Sequence, residues 1–85
     1  MGNRKILGIN VTDRAKNAVR VQELLTEYGC FIKTRIGLHQ VNKDMCSPDG
    51  LIILECCGNE RKCDMLEKKL RALDGVEVQK MVFSE

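Results

Sequence analysis

The sequence predicts one α+β domain of order βαββαβ. Three observations lead there: two apolar runs of strand length, two helical stripes that follow them, and a constant spacing between the two sets. Leu51–Cys56 follows Ile6–Val11 by 45 residues, and the stripe from Cys63 follows the stripe from Ala18 by the same interval. The pair Gly29 and Gly75 is offset by 46. A strand–helix–strand unit written twice is the ferredoxin-like split βαβ sandwich. Right-handed crossovers then put both helices on one face of a four-stranded antiparallel sheet.

Each element has its own signal. "ILGINV" (Ile6–Val11) is short, apolar and rich in β-branched residues, as a strand should be. Thr12 or Asp13 can cap the helix that follows. Along that helix Ala18, Val21, Leu25 and Tyr28 recur at i, i+3, i+7 and i+10, with Leu24 beside them, and Gly29 is placed to stop it. "CFIKTRIGLH" reads as a strand with charges interleaved. "QVNKDMCSPDG" (Gln40–Gly50) reads as a long irregular connection that ends in Pro48-Asp49-Gly50 turn chemistry. "LIILECC" is the most apolar run, and Gly58-Asn59 breaks it, with Asn59 available as an N-cap. Cys63, Leu66, Leu70 and Leu73 form the second stripe, Gly75 stops it, and "VEVQKMVF" is the last strand. Strands 1 and 3 are almost wholly apolar. Strands 2 and 4 carry Lys33, Arg35, Glu77 and Lys80, which suits protected edges, so the strand order is 4-1-3-2.

Alternation then sorts strand 3. Ile52, Leu54 and Cys56 share one face, and Leu51, Ile53, Glu55 and Cys57 share the other. Glu55 marks the second set as the side away from the helices. With Ile6 it forms an open, partly apolar face, and such faces meet partners. Ile6, Leu51, Ile53 and Glu55 are therefore the expected interface of a homodimer or tetramer. An 85-residue chain also has a modest core that association would reinforce.

Composition excludes several classes. The net charge is +2 with both signs spread along the chain, so no basic patch asks for nucleic acid. No apolar window reaches the length of a membrane span, and "MGNRKILGIN" has no signal-peptide core. A single domain over residues 1–85 in the cytoplasm is the expectation. The five cysteines are an odd number in such a setting and read as reduced thiols. Cys56 and Cys57 are strand neighbours and point to opposite faces, while Cys63 sits on the apolar stripe, where it can touch Cys56. No Cys-x-x-Cys is present, so no metal and no cofactor are expected. The alternative is a metal- or redox-sensing protein that uses His39, Cys46 and Cys57 across a subunit interface. His39 is the only histidine, and no Ser or Cys has a base at an assignable spacing, so no catalytic residues are assigned and an enzyme is not expected. The "NVTDR" loop, Asn10, Val11, Thr12, Asp13 and Arg14, joins a central strand to a helix N-terminus. There free N–H groups can bind a small anionic or polar ligand, or Thr12 or Asp13 can simply cap the helix.

The segments "ILGINVTDR", "VQELLTEYG", "IKTRIGL", "GLIILECCG" and "LEKKLRALDGVEVQKMVF" resemble the ACT-like iron-only hydrogenase system regulators over nearly the whole chain. The most specific pieces are Val21-Gln22-Glu23-Leu24-Leu25 running into Glu27-Tyr28-Gly29, and Arg35-Ile36-Gly37. The resemblance implies a small bacterial regulatory domain that oligomerises and responds to a small-molecule effector or a protein partner. Similarity to ACT domains implies an effector near the strand 1–helix 1 loop, Asn10–Arg14, at a subunit interface. The more distant likeness to the effector domain of nickel-responsive regulators would require several histidines, and this sequence offers His39 alone.

Overall fold

A computed structural model describes residues 4–12, 14–41 and 46–84, with side chains described for all but 14–16, 38–41 and 46–49. The elements are β1 (Arg4–Val11), α1 (Arg14–Glu27), a 3-10 turn (Gly29–Phe31), β2 (Ile32–Val41), β3 (Cys46–Cys56), α2 (Glu60–Arg71) and β4 (Val76–Phe83). The sheet is antiparallel with order β2-β3-β1-β4, which is the predicted order read from the other edge. The fold is ferredoxin-like α+β.

The core lies between the helices and one face of the sheet. Leu7, Ile9 and Val11 of β1, Ile52, Leu54 and Cys56 of β3, and Val78 of β4 form its floor. Val21, Leu24, Leu25 and Tyr28 of the first half and Cys63, Leu66 and Leu70 of α2 form its roof. Both predicted stripes are therefore buried, except that Ala18 and Leu73 are only half-buried. Lys69 of α2 stands 5.1 Å from the centre of the Tyr28 ring, which joins the two helices where Tyr28 ends the first stripe.

Local chemistry departs from expectation in four places. Much of the predicted irregular connection over Gln40–Gly50 is instead strand: β2 and β3 continue until Val41 lies opposite Cys46, and residues 42–45 lie outside the described residues. Beyond Gly50, β3 has lost its β1 partner, since Val11↔Gly50 is the last pair of that ladder. Residues 46–49 thus pair with β2 alone, and on such an edge Pro48 need not supply an N–H. Gly29 does not end α1 in a left-handed conformation. Among the described glycines only Gly58 and Gly75 have positive φ, at 88° and 78°. Leu73 lies beyond α2, which ends at Arg71, yet it still packs against the core.

Thr12 is the fourth departure. Its N–H and its Oγ1 both donate to the Gly75 carbonyl, at 2.7 and 2.8 Å. The hydroxyl ties the end of β1 to the turn before β4 rather than serving as a cap. The expected N-cap of α2 is present, with Asn59 Oδ1 accepting from the Lys62 N–H at 3.1 Å.

Candidate functional site: the uncovered sheet face

Among the described residues, no element covers the second face of the sheet. Cross-strand pairs direct their side chains to the same face, so the register lays it out in rows. Leu51, Asn10 and Glu77 form one row, and Ile36, Ile53, Gly8 and Gln79 the next. Thr34, Glu55, Ile6 and Met81 form the third, and Arg4 and Phe83 the last. The four residues predicted for the interface, Ile6, Leu51, Ile53 and Glu55, do share this surface. Sequence reasoning missed Ile36, Met81 and Phe83 because the edge strands were recognised by their charges. Yet these three are 49%, 54% and 49% exposed on the same side.

The rows make a diagonal apolar band from Ile36 through Ile53 and Ile6 to Met81 and Phe83. Gly8 lies in its middle, and no atom stands within 4 Å of where a Cβ would be, so the band has a shallow socket there. One charged pair borders it. Arg4 Nε donates to Glu55 Oε2 at 2.9 Å, and this hydrogen bond holds the Glu55 carboxyl below its usual range. The pair neutralises the charge that would otherwise oppose docking, and both partners remain able to bond across an interface.

A cleft of about 520 Å³ opens where β3 meets α2, bordered by Arg4, Lys5, Lys33, Cys57, Asn59 and Glu60. Lys5, on the helix side of β1, pairs with Asp64. Burial is the largest single influence and acts against its charge, but the hydrogen bond to the Asp64 carboxylate and the negative charges of Asp64 and Glu67 together outweigh it and raise its pKa. Neither Arg4 nor Lys5 belonged to a predicted strand, because two charged residues ahead of Ile6 look like a tail.

The predicted effector loop is divided. Asn10 opens on the uncovered face beside Leu51, Val11 is buried in the core, and Thr12 is committed to Gly75. Asp13 lies outside the described residues, as does the side chain of Arg14. The side chains of His39 and Cys46 are likewise outside them. Their strand positions still constrain the alternative site: Cys46 begins β3 and Cys57 follows its end, eleven residues on, a span of about 36 Å. A single ion held by both would have to join two chains. Among the described residues no group of three or more His, Cys, Asp or Glu could hold a metal ion. Nor is any helix among them long and apolar enough to cross a membrane.

No protein-family model and no curated protein matches the chain. Solved structures do. An uncharacterized protein from Thermotoga maritima, TM1266, is 27% identical with a TM-score of 0.79, and the match covers 95% of this chain and 96% of that one. CPII from Thiomonas intermedia K12, a nitrogen regulatory PII-like protein bound to ADP, AMP and bicarbonate, is 18% identical with a TM-score of 0.54 and covers 96% of each chain. The de novo designed protein Foldit4 matches with 12% identity and a TM-score of 0.53 over 100% of this chain and 99% of its own. With CPII and Foldit4 the shared property is the fold.

Proposed function

We propose that this chain is a small, non-enzymatic, ACT-like regulatory domain that assembles with copies of itself through the uncovered sheet face and responds to a small-molecule effector or a protein partner. The band of exposed Ile36, Leu51, Met81 and Phe83 around half-buried Ile6 and Ile53 carries this reading. Four strands about 4.8 Å apart and about seven residues long give a flat outline of roughly 400 Å². Side-chain relief brings that toward the about 800 Å² per partner of a standard interface. Two such faces would pack about 10 Å apart, as sheets do in a sandwich.

The regulatory part of the proposal draws on CPII, a PII-like protein of the same fold with bound nucleotides, and on the resemblance of the quoted segments to iron-only hydrogenase system regulators. Asn10–Arg14 is the proposed effector loop. Asn10 lies on the docking face, so a ligand at that loop would stand beside the partner chain, and its binding would be linked to assembly.

Sedimentation velocity of the wild-type chain and of Ile53→Lys tests the reading. The wild type should sediment as a dimer or tetramer, and the variant should shift to monomer while its circular dichroism stays native. A wild type that remains monomeric at high concentration overturns the proposal.

A further inference from the structure

Two thiols take no part in the reading above. Cys56 closes β3 on the helix side, and Cys63 lies in the first turns of α2. Both are buried, at 6% and 4% exposure, and neither forms a disulfide. The chain reverses between them through Gly58, whose φ of 88° is the left-handed conformation that favours glycine. The reversal brings the strand end back against the helix, so that the two thiols share one buried cluster and border one cleft. The Phe31 carbonyl fixes both sides of this cluster: it accepts from the Cys57 N–H at 2.8 Å and lies 3.9 Å from Cys63 Sγ. The pair is not sealed off, because Cys56 and Cys63 border the same cleft as exposed Cys57.

Lys5 completes the arrangement. It is the direct cross-strand partner of Cys56, and its ammonium reaches Asp64, the residue after Cys63. A positive charge on a side chain only 12% exposed therefore spans the two thiols.

We propose that Cys56 and Cys63 form a two-thiol site for a soft monovalent d10 cation, with Cu(I) as its probe. Two Cu–S bonds form, two thiol protons pass to solvent, and no electron is transferred. The donor set selects the ion. Thiolates are soft ligands, and the absence of a third donor among the described residues removes the four-coordinate shell that structural zinc requires. Cu(I) accepts two sulfur ligands in a near-linear arrangement. The bound unit, one monovalent cation with two thiolates, carries a single negative charge, which the Lys5 ammonium, shared with Asp64, offsets in part. Cys57, on the same cleft, is the first thiol that an arriving ion meets. The site faces the helix side of the sheet, so it stands or falls separately from assembly through the opposite face.

The test is an anaerobic titration of the fully reduced protein with Cu(I) against the chromophoric chelator bathocuproine disulfonate. A Cys30→Ser/Cys46→Ser/Cys57→Ser variant retains only the buried pair and should withhold one Cu(I) per chain. X-ray absorption of that sample should show two sulfur neighbours. Cys63→Ser, checked for native circular dichroism, should bind at least about tenfold more weakly. If Cys63→Ser fails to fold, the triple variant decides alone. A triple variant that yields all its copper to the chelator, or a folded Cys63→Ser that binds like wild type, overturns the proposal.

Discussion

Gly29 and Gly75 hold equivalent places in the repeated sequence, and replacing each by alanine should give opposite results. Gly75 has φ of 78°, where an alanine Cβ crowds the backbone and costs about 1–2 kcal/mol. Its carbonyl also holds both Thr12 donors, so any relaxation of the turn spreads to the end of β1. For a domain of this size 1 kcal/mol moves the melting temperature by about 4–8 °C, so Gly75→Ala should lower it by roughly 5–15 °C. Gly29 begins a 3-10 turn, does not have positive φ, and has no atom within 4 Å of a Cβ position. Alanine there restricts the unfolded chain without straining the folded one and should stabilise by about 0.4–1 kcal/mol, a rise of roughly 2–8 °C. Thermal unfolding by circular dichroism at one fixed protein concentration measures both, since the proposed association would make the midpoint concentration-dependent. Equal losses for the two variants, or no loss for Gly75→Ala, would refute the backbone argument.

Other outcomes follow from the packing and the charges. Leu66 is fully buried at the centre of the α2 stripe, so Leu66→Ala should cost about 2–5 kcal/mol in chemical denaturation. That is a large part of the roughly 4–13 kcal/mol expected for a chain of this length. With a bulky disulfide reagent under native conditions, Cys30 and Cys57 should label quickly. Burial pushes the Cys56 thiol up to about 12, so it should label only on unfolding, as should buried Cys63; rapid labelling of either would contradict the core assignment. The hydrogen bond and charge of Lys5 hold Asp64 below its usual range, so its contribution is lost as pH falls through the folded value. Lys5 is raised, so its contribution is present below its unfolded pKa and lost as pH rises through the folded one. Asp64→Asn should therefore flatten the denaturation midpoint both below about pH 4 and above about pH 10. An unchanged profile would show that this pair adds nothing.

Periodicity made much of the fold legible. The apolar runs fixed β1 and β3, the two stripes fixed the helix faces, and Glu55 alone told which side of β3 the helices leave bare. That Cys56 and Cys63 share the core was also within reach, because period 2 on the strand and period 3.6 on the helix both aim there. What stayed hidden depends on pairing between distant residues. Arg4 and Lys5 extend β1 because Phe83 and Val82 lie opposite them, and hydropathy cannot anticipate that ladder. Pro48-Asp49-Gly50 has turn chemistry, yet it lies on a strand because β2 continues beside it. Thr12 bonds to a carbonyl 63 residues away, which no local capping rule can foresee. On the candidate site, sequence marked the middle of the open face, while Met81 and Phe83 were masked by the charges of their own strand.

Hydroxyl-radical footprinting across a dilution series tests the central claim most directly, because two methionines serve as mutual references. Met81 lies on the uncovered sheet face at 54% exposure, and Met65 lies on α2 at 39%. As the protein is concentrated, oxidation of Met81 and Phe83 should fall well below that of Met65, and dilution should restore it. Met81 oxidising faster than Met65 at every concentration would mean that the bare side of the sheet binds no second copy.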